Sequence, residues 1–127
     1  MNSLPFSQLF RIHQSASVPA GTSVRVFYGK IPDSCKGFIR RIATTVWYPS
    51  VTYVVKVDGE TFESVDRDIP IDAPLKFDRD EQVLVRDRVE VFAQNSSTNT
   101  YSLGMLIDGR AYHSPTMLAE MGYGTDK

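Results

Sequence analysis

The sequence has very few of the residues that build disulfides and metal sites: among 127 residues there is one cysteine, Cys35, and there are two histidines. A lone cysteine cannot form an intramolecular disulfide, and secreted domains of this size more often contain cysteine pairs. His13 and His113 are 100 residues apart, so they do not provide the histidine cluster of a cupin-type metal enzyme. We therefore expect synthesis in a reducing cytoplasm and no metal-dependent oxygenase chemistry.

Long apolar runs and a charge of one sign are also missing. The N-terminus has no basic segment followed by an apolar one, and no apolar run approaches the length that spans a membrane. The net charge is −1, so no general field attracts nucleic acid or an anionic membrane. We expect a chain with no visible export signal, no membrane contact and no direct nucleic-acid binding.

Candidate catalytic residues occur without a recognisable motif. Nucleophilic catalysis needs a nucleophile, a base and an orienting group, and the candidates are Cys35, His13, His113 and several aspartates. None of them has a local pattern typical of an enzyme family. The sequence predicts a protein that is not an enzyme, with no catalytic residues, no cofactor and no bound metal.

A run of carboxylates is the one feature that suggests calcium, which prefers oxygen ligands. Arginines alternate with these carboxylates and would pair with them, so a solvated, salt-bridged loop is the preferred interpretation. The carboxylates are Asp66, Asp68, Asp78, Asp80 and Glu81.

Two segments indicate β-hairpins. Residues 51–62 are rich in β-branched residues and contain Asp58-Gly59, a pair that tolerates the positive φ angles of a tight turn. Residues 101–112 contain Asp108-Gly109 in a similar setting. We expect a hairpin at each place.

Shorter runs predict further strands. Apolar residues alternate with polar ones in residues 9–18 and 23–28, and residues 83–93 hold four valines, which favours strands there over a competing helix at 80–93. In residues 38–43, regular alternation would place Arg40 or Arg41 on the core face. One of these arginines must leave that face or be paired there.

The connection at residues 64–80 contains Pro70 and Pro74, which exclude a central strand, although its alternating apolar residues indicate contact with the core. Such a connection suits a chain that crosses between two sheets. We predict an all-β fold, a β-sandwich of eight to nine strands, with a jelly roll preferred to an immunoglobulin-like order. The chain is expected to be one domain, with the sandwich at about 9–112 and short arms at 1–8 and 113–127.

An aromatic corner raises a second kind of site. Trp47, Tyr48 and Tyr53 could stack sugar rings, as aromatic residues do at the edges of lectin-like sandwiches. The preferred alternative is that the corner packs into the core or into a subunit interface.

The order of these motifs resembles that of small β-sandwich accessory proteins of tailed bacteriophage virions. The resemblance covers roughly residues 18–112 and rests on strand-and-turn motifs. The motifs are Gly37-Phe38-Ile39 with Ile42-Ala43, residues 54–59, Ile69-Pro70-Ile71 with Pro74, residues 87–95, and residues 103–109.

The resemblance implies a virion protein, made in the host cytoplasm, that decorates the capsid or attaches to the connector or tail and forms a homo-oligomer, often a trimer. Apolar residues near both termini are the expected partner contacts, since arms that become ordered on a partner gain affinity by burying them. The alternative is that both arms cover open sheet edges. The residues are Leu4, Phe6, Leu9, Phe10, Met117, Leu118 and Met121.

Overall fold

The computed structural model describes residues 7–31, 35–77 and 83–113, which form nine strands and contain no helix. No helix long and apolar enough to cross a membrane was found in these ranges. The strands are β1 Ser7–Val18, β2 Thr22–Lys30, β3 Cys35–Thr44, β4 Val51–Val57, β5 Glu60–Val65, β6 Leu75–Lys76, β7 Val83–Val85, β8 Arg88–Asn95 and β9 Tyr101–His113.

The strands form two antiparallel sheets. The first sheet has the order β1-β9-β3-β6, with β7 also paired to β3, and the second has the order β2-β8-β4-β5. The chain is therefore folded like one long hairpin: β4 pairs with β5, β3 with β6 and β7, β2 with β8, and β1 with β9. A hairpin of this kind, wrapped into two facing sheets, is a jelly roll. The predicted sandwich and its preferred topology are confirmed.

The hairpin predicted at Asp58-Gly59 is present between β4 and β5. Asp58 has a φ of 54° and Gly59 a φ of 88°, as a two-residue turn with two left-handed positions requires. The Asp58 carboxylate also accepts hydrogen bonds from the backbone amides of Arg86, Asp87 and Arg88, at 3.0, 2.7 and 3.0 Å. The turn between β4 and β5 is thereby tied to the turn between β7 and β8.

The second predicted hairpin is wrong: Asp108-Gly109 lies within β9, which continues without a turn from Tyr101 to His113. Gly109 is needed there for close packing, because a Cβ atom at this position would lie 2.5 Å from the ring of Phe10. Asp108, on the opposite face, accepts a hydrogen bond from Arg41 Nη2 at 2.6 Å. Gly109 and Asp108 therefore make contacts on opposite faces of β9 and do not form a turn.

A bulge in β3 accounts for the two arginines that regular alternation could not place. The register of β3 against β9 shifts between Ile39 and Arg41, so Ile39 and Ile42 are both fully buried although they are three positions apart in the sequence. The extra residue of a bulge changes which positions face the core. Arg40 and Arg41 are both partly exposed as a result.

The connection after β5 crosses from the second sheet to the first, as its prolines suggested. Ile69 is buried, and the backbone amide of Ile69 donates a hydrogen bond to the side-chain oxygen of Thr44 at 2.9 Å. Leu75 and Phe77 pack against the core, whereas Ile71 is 47% exposed. Of the competing helix at 80–93, residues 83–93 are instead in β7, β8 and their turn, and residues 80–82 lie outside the described ranges.

One side chain covers the open edge of β2. The Gln14 side chain donates from Nε2 to the Tyr28 carbonyl at 2.9 Å and accepts from the Tyr28 amide at Oε1 at 2.8 Å. The side-chain amide of Gln14 thus forms the pair of hydrogen bonds with β2 that the backbone of a neighbouring strand would form. An edge strand with fewer unpaired backbone groups is a poorer template for another chain.

Candidate functional site

The two ends of the sandwich differ in chemistry, and each is a candidate site. We call one the aromatic end: it comprises the β1–β2 turn and the connections 45–50 and 96–100. We call the other the cavity end: it comprises the turns β4–β5 and β7–β8, together with the start of β1, the end of β9, the end of β2 and the start of β3. The described chain enters and leaves at the cavity end, where Ser7 pairs with Tyr112 and Cys35 with His113.

At the aromatic end, Tyr53 is part of the core. Its ring is fully buried, its hydroxyl donates to the Val46 carbonyl, and the same oxygen accepts from the Gly104 amide at 3.2 Å. Burial raises the pKa of Tyr53 to about 12, against a smaller lowering by the Gly104 hydrogen bond. Tyr53 thus packs into the core, as the preferred alternative to sugar binding predicted, and it cannot present its ring to a sugar in this fold.

Tyr48 is the accessible part of the aromatic corner. It is 37% exposed, and its ring is stacked on that of Tyr101 with centroids 3.8 Å apart and planes 10° from parallel. Trp47 is partly buried and donates from Nε1 to the Val51 carbonyl at 3.0 Å, which fixes its ring. Tyr48 and Tyr101 form a two-ring surface that sequence reasoning missed, because Tyr101 is 53 residues away in the chain.

Asn95 organises the loop beside this surface. Its buried side chain donates to the carbonyls of Val18 and Asn99 at 3.0 and 2.7 Å. Its Oδ1 atom accepts from the backbone amide and the hydroxyl of Ser97, at 3.0 and 2.6 Å. The polar loop is therefore held by one amide that joins three parts of the aromatic end.

The cavity end carries a network of ion pairs that extends along β8. Asp87 accepts from Lys30 at 2.8 Å and from Arg88 at 2.7 Å, and Glu90 accepts from Arg88 at 3.0 Å and Arg25 at 3.1 Å. Hydrogen bonding from Lys30, then from Arg88, lowers the pKa of Asp87, and the hydrogen bond from Arg25 is the largest influence that lowers the pKa of Glu90. The three cations and two carboxylates of this network are thus all engaged in ion pairs within the chain.

Between the sheets at the same end is an apolar cavity of about 220 Å³. Lys30, Cys35 and two small residues, Gly29 and Ala111, also contribute to its wall. Nothing in the sequence pattern revealed it, because its wall is assembled from both sheets. In the described part of the chain, six apolar side chains line it: Phe10, Ile12, Phe27, Ile31, Val89 and Ile107.

The structure makes two of the three catalytic candidates, Cys35 and His113, neighbours in the sheet and leaves His13 farther along β1. His13 Nε2 lies 3.2 Å from the Thr45 hydroxyl, while Cys35 is half-buried at the start of β3. His113 pairs with Cys35 in the strand register. No cluster of three metal-ligating side chains occurs among the described residues. Asp68 accepts a hydrogen bond from Thr44, and the other carboxylates of the calcium hypothesis at 78–81 lie outside those residues.

The predicted partner contacts fall in two groups. Leu9 and Phe10 belong to β1 rather than to an arm, and Phe10 packs over Gly109 at the cavity wall. The remaining residues of that prediction lie outside the described ranges: Leu4, Phe6, Met117, Leu118 and Met121.

No protein-family model matches the chain, and no curated protein matches it. Among solved structures, the chain is similar to a chain of the VP2 subviral particle of infectious bursal disease virus, with 12% identity and a TM-score of 0.36. It is also similar to a chain of the Gx strain of that virus, with 10% identity and a TM-score of 0.26.

These matches cover 85% and 84% of this chain but only 37% and 31% of the viral chains. The chain thus spans about a third of the length of the proteins it matches. Both TM-scores are too low for the likeness to support a functional conclusion.

Proposed function

We propose that this protein is a non-enzymatic structural component of a phage virion, which binds the capsid, connector or tail surface as a decoration or accessory protein. The jelly-roll strand order supports the architecture that the sequence resemblance implied. Jelly rolls also occur in lectins and cupins, so the fold alone does not select a function. The virion role therefore rests on the resemblance together with the position of the chain ends.

That position is the observation that carries the proposal. Ser7 pairs with Tyr112 in neighbouring strands, so the two arms predicted at 1–8 and 113–127 continue from one end of the sandwich. Two apolar segments delivered from one place can contact one partner surface together. Linking two weak contacts in this way raises the overall affinity without new contacts.

The outer face of the second sheet is a poorer attachment surface. Arg25 lies over the Tyr28 ring at 4.5 Å and pairs with Glu90, and Lys56 lies over the Phe92 ring at 5.1 Å. Its cations are thus already engaged within the chain. A partner would have to displace these contacts, which favours attachment through the cavity end.

Purified virions and assembled particles provide the test. Mass spectrometry of virions should find this chain at a fixed copy number, and light scattering after size-exclusion chromatography should show an oligomer. Co-sedimentation with assembled particles should weaken in the full chain carrying Leu4→Ser with Phe6→Ser, and also in Met117→Ser with Leu118→Ser. Tyr28→Ser, on the second sheet, is the matched control that should sediment normally.

A strict monomer that ignores assembled particles and is absent from virions would overturn the proposal. Normal co-sedimentation of both arm variants would overturn attachment through the arms. Loss of co-sedimentation in Tyr28→Ser alone would move the contact to the second sheet.

The Tyr48–Tyr101 surface favours carbohydrate binding as the second candidate function. Exposed aromatic faces offer sugar rings an apolar surface, and the loop 96–100 places polar groups beside this one. A glycan array should identify a ligand whose binding is lost in Tyr48→Ala and kept in Tyr28→Ala. An array without a ligand would remove this candidate.

A further inference from the structure

The cavity at the cavity end is built to stay open. Gly29 contributes no side chain to its wall and Ala111 contributes only a methyl group, so these two positions leave the space unfilled. The surrounding strands belong to different sheets, and their backbone pairing keeps them from collapsing into the space. The resulting space of about 220 Å³ lies between the sheets and is partly open to solvent, so a small molecule can enter it without unfolding of the sandwich.

Water is a poor occupant of this cavity. An ordered buried water needs two to four polar partners, and the lining is dominated by aliphatic and aromatic side chains. An engineered cavity of about 150 Å³ with a similar lining remains dry and binds benzene. The present cavity is larger, and its size matches one ring that carries a short alkyl chain.

A charged ligand is also disfavoured. The Lys30 ammonium group already donates to Asp87 at 2.8 Å, so a carboxylate at the rim would have to compete with Asp87. A charge placed deeper would lose its hydration without a compensating partner. The chemistry of the wall thus selects uncharged molecules.

We propose that this cavity is a binding site for a small uncharged apolar molecule of about the size of an alkylbenzene. The inference does not depend on the virion role. The ligand would contact both sheets, with Phe10, Ile12 and Ile107 on one side and Phe27 and Val89 on the other. Its binding would stabilise the folded state by mass action.

Methyl-resolved NMR on the full chain tests the site with benzene, toluene and n-butylbenzene as probes. We expect saturable shifts at the methyl groups of Ile12, Ile31 and Ile107, and none at Ile69 or Leu103, which do not line the cavity. The melting temperature should rise with probe concentration. No shift and no rise with any of the three probes would overturn the proposal.

Filling the cavity should abolish binding. Ala111→Phe places a ring in the space and should weaken probe binding at least about tenfold, which corresponds to roughly 1.4 kcal/mol. Ala73→Phe makes the same change at an exposed residue of the β5–β6 connection and should bind normally. Equal binding by both variants would place the probe elsewhere.

Cys35 gives an independent measurement should Ala111→Phe not fold. Because the chain has a single cysteine, alkylation by N-ethylmaleimide reports on this wall alone. Benzene should slow the reaction, and the alkylated protein should no longer bind benzene. An unchanged alkylation rate at benzene concentrations that saturate the shifts would contradict the site.

Two other occupants are distinguishable. Binding seen only in the full chain carrying Leu4→Ser with Phe6→Ser would show that the N-terminal segment fills the cavity. Binding that appears only on dilution would show that a second copy fills it. Either result would overturn the small-molecule proposal.

Discussion

The aromatic end and the cavity end are held by different interactions. At the aromatic end, the side chains of Asn95 and Tyr53 are buried and make neutral hydrogen bonds to backbone groups. At the cavity end, Asp58, Asp87 and Glu90 hold the turns and β8 through charges that face solvent to varying degrees. Neutral buried contacts respond little to salt, whereas exposed ion pairs are screened by it. The two ends should therefore respond differently to pH, salt and mutation.

The largest effect is expected at the aromatic end, from Asn95→Ala. The substitution removes the partner of Val18, Asn99 and Ser97, and a buried polar group left unpaired costs about 1–3 kcal/mol. We expect a loss of about 3 kcal/mol in the free energy of unfolding, measured by urea denaturation. The control is Asn99→Ala: Asn99 is exposed, and it accepts the hydrogen bond from Asn95 through its backbone carbonyl, which the substitution keeps. Equal losses in both variants would contradict the role of Asn95.

Tyr53→Phe should have the next largest effect, since it removes a hydroxyl that bonds Val46 and Gly104. We expect a loss of about 1–2 kcal/mol at neutral pH. The folded protein keeps the hydroxyl neutral, because the pKa of Tyr53 is raised from 10.0 to about 12. The contribution of Tyr53 to stability is therefore fully present below pH 10. It falls as the pH rises towards 12, because the unfolded chain loses this proton first.

The measurement is the pH dependence of unfolding, compared between wild type and Tyr53→Phe. The difference between the two proteins should shrink above pH 10. A constant difference across that range would show that Tyr53 titrates normally. Tyr28→Phe, an exposed tyrosine, serves as the control.

At the cavity end, Asp58→Asn tests the three amide hydrogen bonds to the β7–β8 turn. Burial of Asp58 would raise its pKa, but the hydrogen bonds from Arg86, Asp87 and Arg88 together outweigh burial and lower it. Stability from this group is present above its ordinary pKa of 3.8 and is lost as the pH falls through the folded value. We expect a loss of about 1 kcal/mol at neutral pH.

The acid limb of the stability profile provides the measurement. Asp58→Asn should flatten it, whereas Asp66→Asn, at an exposed site in the β5–β6 connection, should leave it unchanged. An acid limb that is identical in wild type and Asp58→Asn would mean that the turn does not depend on this charge.

The smallest effect is expected from Glu90→Gln. Glu90 pairs with Arg25 and Arg88, and ion pairs near the surface contribute at most about 1 kcal/mol. The loss in melting temperature should be greatest at low salt and should disappear at high salt. Glu60→Gln, at an exposed position, is the matched control. A salt-independent loss would show that Glu90 acts through packing rather than through charge.

The two Asp-Gly pairs show how far the sequence predicts the fold. Asp58-Gly59 forms the expected turn, since the strands on either side, β4 and β5, are close in sequence and pair with each other. Asp108-Gly109 has the same local signal, but Phe10 packs on Gly109 and Arg41 pairs with Asp108, both from distant strands. These long-range contacts outweigh the local preference of Asp-Gly for a turn, and no short stretch of sequence reveals them.

The same distinction applies to the candidate sites. The jelly roll was predictable, because the proline-marked connection and the alternating strands are properties of single segments. The Tyr48–Tyr101 surface and the cavity were not, because each combines side chains from separate strands and loops. Strand alternation required Arg40 or Arg41 to leave the core face or be paired there, but it did not predict the bulge after Ile39 that achieves this.

The pairing of Ser7 with Tyr112 has a practical consequence for rearranging the polypeptide. Strands in a sheet lie about 5 Å apart, so the sequences flanking β1 and β9 could be fused into a continuous loop. New termini could then be opened at Asp58-Gly59, where the backbone turns at the surface. Such a circular permutant would preserve every strand neighbour while moving both termini to another turn.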